Sequence, residues 1–152
     1  MSLDTYSSRS QVVTSPAEEV FSFFSDTAKV ERYYTFATSE KKIPLVQQVT
    51  FSSDSIDVKV DGIGPHFKID IIERESPTLI FYKFQESPLI KEMTVALQIR
   101  ETGVGECSIS LVVRVDFPFL LKRMYGEKMS FMLDEAVRQL ANIPFKEFYE
   151  SR

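Results

Sequence analysis

The clearest secondary-structure pattern in the chain is EMTVALQIRETGVGECSISLVVRVD, residues 92–116. Apolar and polar residues alternate along both halves of this stretch, as they do in strands that bury one face. The halves are separated by Thr102–Gly105, whose glycines suit a tight turn. The stretch therefore predicts two long strands paired as an antiparallel hairpin. The residues predicted to face inward are Met93, Val95, Leu97, Ile99, Cys107, Ile109, Leu111, Val113 and Val115.

Five further extended segments are predicted before this hairpin, because apolar residues alternate there between turn-forming residues. They are Thr5–Thr14, Val46–Phe51, Ile56–Val60, Phe67–Ile72 and Ile80–Phe84. Short turns join neighbouring strands in the antiparallel sense, so about seven strands are expected in one sheet. The predicted turns are Ser52–Asp54, Asp61–Pro65, Glu75–Pro77 and Glu86–Pro88.

Two short helices are predicted between the first and second strands. Ser15 suits a helix N-cap, Pro16 suits the first helical position, and Glu18 would complete a capping box. The apolar residues Val20, Phe21, Phe23 and Phe24 follow on one broad face. The helix is expected to pause at Ser25–Asp26, and a second one is expected to carry Val30, Tyr33 and Tyr34.

The pattern becomes helical after Pro118. Apolar residues then recur at steps of three and four, which predicts an amphipathic helix of about six turns. Gly126 lies inside this helix and is expected to mark a bend or a close approach to the sheet. The predicted inner stripe consists of Leu121, Tyr125, Met129, Met132, Leu133, Ala136, Leu140 and Ile143.

Length and composition indicate one globular α+β domain over residues 1–152. The chain is 43% hydrophobic and 26% charged, and it contains 13 Phe and 6 Tyr but no Trp. The long curved sheet needs a cover for its apolar face, and the last helix carries the only large apolar stripe for that purpose. The interior is therefore expected to be rich in aromatic side chains, between the sheet and this helix.

The net charge, the apolar runs and the cysteine count of the sequence indicate which partners and which compartment to expect. The net charge of −4 argues against nucleic acid, whose binding requires a basic surface. The N-terminus lacks a secretory pattern, and no apolar run approaches the ~20 residues of a membrane span. One cysteine allows no intramolecular disulfide. A cytoplasmic protein without a stable membrane anchor is expected.

The order of elements resembles the helix-grip superfamily, which includes START lipid-transfer domains, polyketide cyclases and aromatases, and plant pathogenesis-related allergens. The most specific match is Ser15–Phe21 with Asp26 and the aromatic Tyr33, which is similar to the first-helix signature of the polyketide cyclase and dehydrase branch. Relatives often carry Trp where this chain has Tyr33 or Tyr34. Supporting matches are Glu73–Pro77, Glu101–Gly105 and Pro118. The resemblance implies a cavity between the sheet and the last helix.

The residues predicted to line this cavity come from inward strand positions and from the inner face of the last helix. Tyr125, Met129 and Met132 form an adaptable strip there, because methionine fits irregular apolar surfaces. Tyr82 offers a polar group that could orient a ligand or bond to the backbone. The same residues could instead form an ordinary core. The full predicted set is Phe67, Tyr82, Phe84, Met93, Val95, Leu97, Leu111, Tyr125, Met129 and Met132.

Residues that could carry catalysis are few. His66 is the only histidine and lies beside a predicted turn, where an exposed surface role is the simpler interpretation. Cys107 has inward parity, and burial makes a thiol inert. One His and one Cys cannot form a zinc site of the usual Cys/His kind. Asp61–Pro65 lacks the lysine of a phosphate loop. No catalytic residue, metal or cofactor is predicted.

Three functions remain open from the sequence. The first is a carrier or sensor of a small hydrophobic or lipid-like ligand. The second is an enzyme of the cyclase, dehydratase or hydrolase kind, with Tyr82 or His66 transferring a proton. The third is a protein-interaction module with a collapsed cavity and an exposed apolar patch. The candidates for that patch are Phe117, Phe119, Phe131, Phe145 and Phe148.

Overall fold

A computed structural model of the protein describes residues 3–39, 48–59, 66–85 and 90–149. Within these ranges eight strands form one antiparallel sheet, accompanied by five α-helices and one 3₁₀ turn. The strands are β1 Asp4–Ser7, β2 Gln11–Val13, β3 Gln48–Phe51, β4 Ser55–Lys59, β5 His66–Glu75, β6 Leu79–Phe84, β7 Glu92–Gly103 and β8 Glu106–Asp116. The helices are α1 Ala17–Ser25, α2 Thr27–Ser39, α3 Phe119–Tyr125, α4 Met129–Ala141 and α5 Phe145–Tyr149, with the 3₁₀ turn at Gly126–Lys128.

The sheet has the predicted antiparallel order. Strands β3 to β8 lie side by side in chain order, and β1 and β2 both pair with β8 at the far edge. The extended segment predicted at Thr5–Thr14 is therefore two short strands. Between them, Ser8 exchanges two hydrogen bonds of 2.9 Å with the backbone of Leu111. The α+β architecture and the sheet of about seven strands are confirmed.

A β-bulge interrupts the pairing of β5 with β6 between Ile71 and Glu73. Ile71 is buried, whereas Ile72, the extra residue, is exposed. A bulge bends its strand and increases the local twist. It therefore contributes to the curvature of the sheet while keeping Ile71 on the inner face. The turns predicted at 61–65 and 86–88 lie outside the described residues.

The first helix begins one residue later than predicted. Pro16 occupies the N-cap position and makes no side-chain capping bond, so the capping box of Ser15 and Glu18 is wrong. The pause at Asp26 is confirmed. The Asp26 carboxylate accepts a hydrogen bond of 2.9 Å from the backbone N–H of Ala28 and thereby satisfies one free donor at the start of α2.

The long C-terminal helix is present with a break at the predicted position. A 3₁₀ turn at Gly126–Lys128 separates α3 from α4. Because a 3₁₀ turn has 3.0 residues per turn instead of 3.6, it shifts the phase of the faces on either side. The predicted inner stripe is confirmed at Met129 and Leu133, because the buried face of α4 follows steps of four residues. It is wrong at Met132 and Ala136, which are exposed, whereas Val137 is buried. The buried residues of α4 are Met129, Leu133 and Val137.

An aromatic cluster around Phe23 holds α5 against α1. The Phe23 ring centroid lies 5.3 Å from that of Phe145 and 5.8 Å from that of Phe148, in edge-to-face arrangements. Such pairs stabilise a core beyond their buried area, by about 0.5–1.5 kcal/mol each. Phe145 and Phe148 are consequently buried, and their place in an exposed patch is wrong.

Candidate functional site: an apolar cavity under the curved sheet

A cavity of about 400 Å³ lies between the inner face of the sheet and the helices. The sheet forms one wall with residues of β4 to β8, and α1, α2 and the end of α4 form the other. This volume falls at the lower end of the range that small-molecule sites occupy, roughly 300–1,000 Å³. The lining residues are Phe24, Thr27, Val30, Ile56, Ile69, Ile71, Tyr82, Phe84, Val95, Leu97, Leu111 and Leu140.

Strand register explains why the sheet wall is apolar. Side chains alternate between the faces of a strand, so the cavity residues of β5, β6 and β7 lie two positions apart in each strand. They are Ile69 and Ile71, Tyr82 and Phe84, and Val95 and Leu97. Cross-strand pairing then places these residues in rows: Tyr82 lies between Ile71 and Val95. The other rows pair Ile69 with Phe84 and Leu97 with Leu111.

The opposite wall is the junction between α1 and α2, and polar side chains tie it to the sheet. The Arg74 Nε donates to the carbonyl oxygen of Ser25 at 3.1 Å, and its Nη2 lies 2.8 Å from an Asp54 carboxylate oxygen. The Thr27 hydroxyl donates to the carbonyl oxygen of Ser52. These bonds connect the helix junction to the β3–β4 turn and to β5, so they fix the position of this wall relative to one end of the sheet.

Tyr82 and Thr27 supply the side-chain hydroxyls among the described lining residues. The Tyr82 hydroxyl donates to the carbonyl oxygen of Phe24 at 3.3 Å. Burial raises the pKa of this phenol well above its usual range, and the nearby Arg74 guanidinium opposes that shift more weakly. Tyr82 is therefore a neutral phenol at physiological pH, with its hydrogen already directed at the backbone.

The structure brings together half of the residues predicted for the site. Those that line the cavity are Tyr82, Phe84, Val95, Leu97 and Leu111. Met129 is buried in the main core, and Met93 packs against that core half-buried. Tyr125 and Met132 are 40% and 50% exposed and do not line the cavity. Met132 lies in the same helix as the buried Met129, and the buried face of that helix continues at Leu133 instead. The side chains of Phe67 and His66 lie outside the described part of the structure.

The lining residues absent from the prediction come mostly from the helices. Ile69 and Ile71 share the parity of Phe67, so the alternation of β5 contained the signal for them. Phe24, Thr27 and Leu140 lie at helix ends, where side-chain direction depends on how the helices pack. The helical pattern placed Leu140 on the predicted inner stripe, but no local pattern joins it with Phe24 and Thr27 in one site.

The thiol of Cys107, a possible nucleophile by residue type, is unreactive because it is buried. Cys107 is buried on the inner face of β8, as its parity predicts. Burial first, and then the carboxylates of Glu101 and Glu106, raise the pKa of its thiol to about 11. Across the described residues, no group of three or more His, Cys, Asp or Glu side chains is close enough to hold a metal ion.

The outer surface of the C-terminal helices carries large apolar side chains. Phe119 and Phe131 are exposed, as predicted, and three neighbours in sequence or on the helix accompany them. Those neighbours are Leu120, Met124 and Met132. Among the helices that the structure describes, none is both long enough and apolar enough to cross a membrane.

Neither a family model nor a curated protein matches the sequence significantly. Solved structures do match the fold. A norcoclaurine synthase from Thalictrum flavum is 12% identical with a TM-score of 0.70, covering 100% of this chain and 98% of its own. A START superfamily protein from Mycobacterium smegmatis is 15% identical with a TM-score of 0.56, covering 92% of this chain and 99% of its own.

A third similar structure is the solution structure of a protein from Thermobifida fusca. It is 14% identical with a TM-score of 0.64, and the match covers 95% of this chain and 94% of that chain. At such low identity these likenesses establish the fold and leave the activity open. Placement near the polyketide cyclase and dehydrase branch stays a prediction. The chain is a protein of the helix-grip fold, the architecture that its first-helix motif and its order of strands and helices predict.

Proposed function

We propose that this protein binds a small apolar molecule between the curved sheet and the helices, and that it acts as a carrier or sensor of that molecule. The observation that carries the proposal is the 400 Å³ cavity with its apolar lining. A cavity lined by aliphatic and aromatic groups gives water few hydrogen-bond partners, so an apolar occupant gains from entering it. A ligand that loses about 200 Å² of apolar surface to water gains roughly 5 kcal/mol before the costs of association.

The enzyme alternative receives less support from the described residues. A general acid or base needs a pKa near the working pH and a partner within hydrogen-bond reach. Burial moves the pKa of Tyr82 away from neutrality, and its hydroxyl bonds to the carbonyl oxygen of Phe24. One solved norcoclaurine synthase of this fold is in complex with dopamine and hydroxybenzaldehyde, which keeps an enzyme as the second candidate.

The interaction-module alternative predicts a filled core as well as an exposed apolar patch. Phe119 and Phe131 agree with the second feature. The cavity of about 400 Å³ disagrees with the first, because a filled core leaves no such space. The open cavity therefore favours the carrier or sensor.

The test is native mass spectrometry of freshly purified protein, followed by solvent extraction and identification of co-purifying molecules. The matched variants are Val95→Phe, which fills the cavity, and Val12→Phe, which adds the same ring at a 61% exposed position. We expect an apolar adduct on the wild type and on Val12→Phe, and loss of most of it on Val95→Phe. Equal adducts on both variants would place the ligand elsewhere and refute the proposal.

A further inference from the structure

We propose that the outer surface of α3 and of the first turn of α4 binds reversibly to anionic lipid membranes. The apolar part of this outer helical surface consists of Phe119, Leu120, Met124, Tyr125, Phe131 and Met132. None of these residues lines the cavity, so the proposal does not depend on what the cavity binds. It follows from the concentration of exposed apolar side chains in one segment and from the charge of that segment.

Exposed apolar side chains are unevenly distributed over the protein. Of the nine large hydrophobic side chains that are exposed in the described part of the structure, six lie between Phe119 and Met132. The two phenylalanines among them, Phe119 and Phe131, are 76% and 67% exposed. Single exposed apolar side chains are ordinary on a protein surface, whereas a concentration of them in one segment indicates a binding surface.

The apolar side chains of α3 lack a cover. Five of its seven residues, FLLKRMY, are apolar or aromatic, and none of the seven is buried. A surface helix normally buries its apolar stripe against the protein core. An ion pair at 3.2 Å between Lys122 Nζ and the Asp4 carboxylate ties α3 to β1. The helix is thus held in place with its apolar residues available to a partner.

The charge of the same segment indicates which partner covers it. Residues 119–132 carry three basic side chains, Lys122, Arg123 and Lys128, and one acidic side chain, Glu127. Their net charge is +2, although the whole chain has a net charge of −4. All three basic residues are exposed. Each lysine or arginine close to an anionic bilayer strengthens binding roughly fivefold, so this segment is complementary to a negatively charged surface.

The mixing of basic and apolar residues favours a membrane over a protein partner. Lys122 and Arg123 lie in sequence between Leu121 and Met124, in the middle of α3. The centre of a protein–protein interface is depleted in lysine. At a bilayer, a basic side chain can lay its methylene groups along apolar neighbours and keep its charge among the headgroups. Phenylalanine and leucine side chains then enter the boundary between headgroups and acyl chains.

The first test places a fluorescent reporter on the surface. The chain contains no tryptophan, so Phe119→Trp gives one reporter on the outer helical surface. Val104→Trp is its control, at a fully exposed position of the β7–β8 turn. The probes are vesicles of phosphatidylcholine, alone or with about 30 mol% phosphatidylserine. We expect the emission of Phe119→Trp to shift to shorter wavelength with the anionic vesicles and that of Val104→Trp to stay unchanged.

The second test measures partition onto the same vesicles by co-sedimentation. The double variant Phe119→Ser, Phe131→Ser should bind anionic vesicles at least tenfold more weakly, because it removes two large apolar groups. Val12→Ser with Val104→Ser removes two exposed apolar groups elsewhere and should bind like the wild type.

The basic residues are tested in the same assay. Arg123→Gln with Lys128→Gln should weaken binding about tenfold or more. Lys83→Gln with Arg100→Gln makes the same change of net charge at exposed positions on β6 and β7 and should have little effect.

Three results would overturn the proposal. The first is a wild-type protein that does not bind anionic vesicles. The second is binding that survives both double variants of the surface, and the third is equal binding to neutral and anionic vesicles. A wild type that ignores vesicles but self-associates in sedimentation velocity, while Phe119→Ser, Phe131→Ser stays monomeric, would assign the surface to a second copy of the chain instead.

Discussion

The Tyr82 hydroxyl donates a hydrogen bond of 3.3 Å to the main-chain carbonyl oxygen of Phe24, which links β6 to the end of α1 across the edge of the cavity. Tyr82→Phe removes this bond and leaves a carbonyl oxygen without its partner. We expect the free energy of unfolding to fall by about 1 kcal/mol in denaturant titrations. Tyr125→Phe is the matched control, because Tyr125 is exposed. Equal losses in the two variants would contradict a role for the bond.

The buried thiol of Cys107 predicts a loss of stability in alkali. Its pKa is raised from 9.0 to about 11 by burial and by two nearby carboxylates. Between these values the unfolded chain releases the thiol proton while the folded chain keeps it, so the unfolded state binds fewer protons and stability falls as pH rises.

Because each pKa unit corresponds to about 1.36 kcal/mol, the wild type should lose about 2 kcal/mol more than Cys107→Ala between pH 8 and pH 11. The measurement is the free energy of unfolding at several pH values, with the variant at each pH as the reference for all other titrating groups. Parallel curves for the two proteins would show that the thiol titrates normally in the folded state.

Val95 and Val113 are cross-strand partners on one face of the sheet, but only Val95 lines the cavity. Val113 is in the packed core. Val113→Phe should therefore cost about 1–3 kcal/mol through overpacking, whereas Val95→Phe has room for the ring and should change stability by less than about 1 kcal/mol. Thermal or chemical unfolding of the pair measures the difference. Similar costs at both positions would mean that the cavity is filled in solution.

The β7–β8 turn depends on Gly105 for its conformation. Gly105 has a φ of +71°, a region that a residue with a Cβ enters at a cost of about 1 kcal/mol or more. Gly103 has no positive φ, and nothing lies within 4 Å of a Cβ added there. Gly105→Ala should therefore lower the midpoint of unfolding clearly, and Gly103→Ala should lower it much less. A larger effect at Gly103 would be inconsistent with the turn geometry.

Gly126 is expected to be replaceable with a gain in stability. Its backbone has the helical angles φ −53° and ψ −44°. An added Cβ would lie 3.5 Å from the Tyr6 hydroxyl oxygen and 3.8 Å from Lys122 Cγ, both ordinary contacts. Gly126→Ala should raise the free energy of unfolding by about 0.5–1 kcal/mol, because alanine has less freedom in the unfolded chain. A loss of stability would show that Gly126 is needed for close packing against β1.

Sequence reasoning identified the sheet half of the site well, because strand geometry is a local rule. A period of two forces Val95 and Leu97 onto one face whatever the rest of the chain does. The same rule placed Tyr82 and Phe84 on that face and Cys107 among the buried residues of β8. The short turns determined that successive strands are neighbours, so the order of the later strands followed from the sequence, whereas the pairing of β1 and β2 with β8 did not.

The helical half of the site was decided by tertiary structure. A 3₁₀ turn at Gly126–Lys128 separates α3 from α4, and the buried face of α4 follows Met129, Leu133 and Val137. Tyr125 and Met132 are exposed. Phe145 is buried because α5 folds back onto α1, which a local pattern does not encode. The helix junction that forms one wall of the cavity is tied to β5 by Arg74 and to the β3–β4 turn by Thr27. Periodicity determines which face of one element is apolar, whereas the separation of two apolar faces depends on contacts between residues that are distant in the chain.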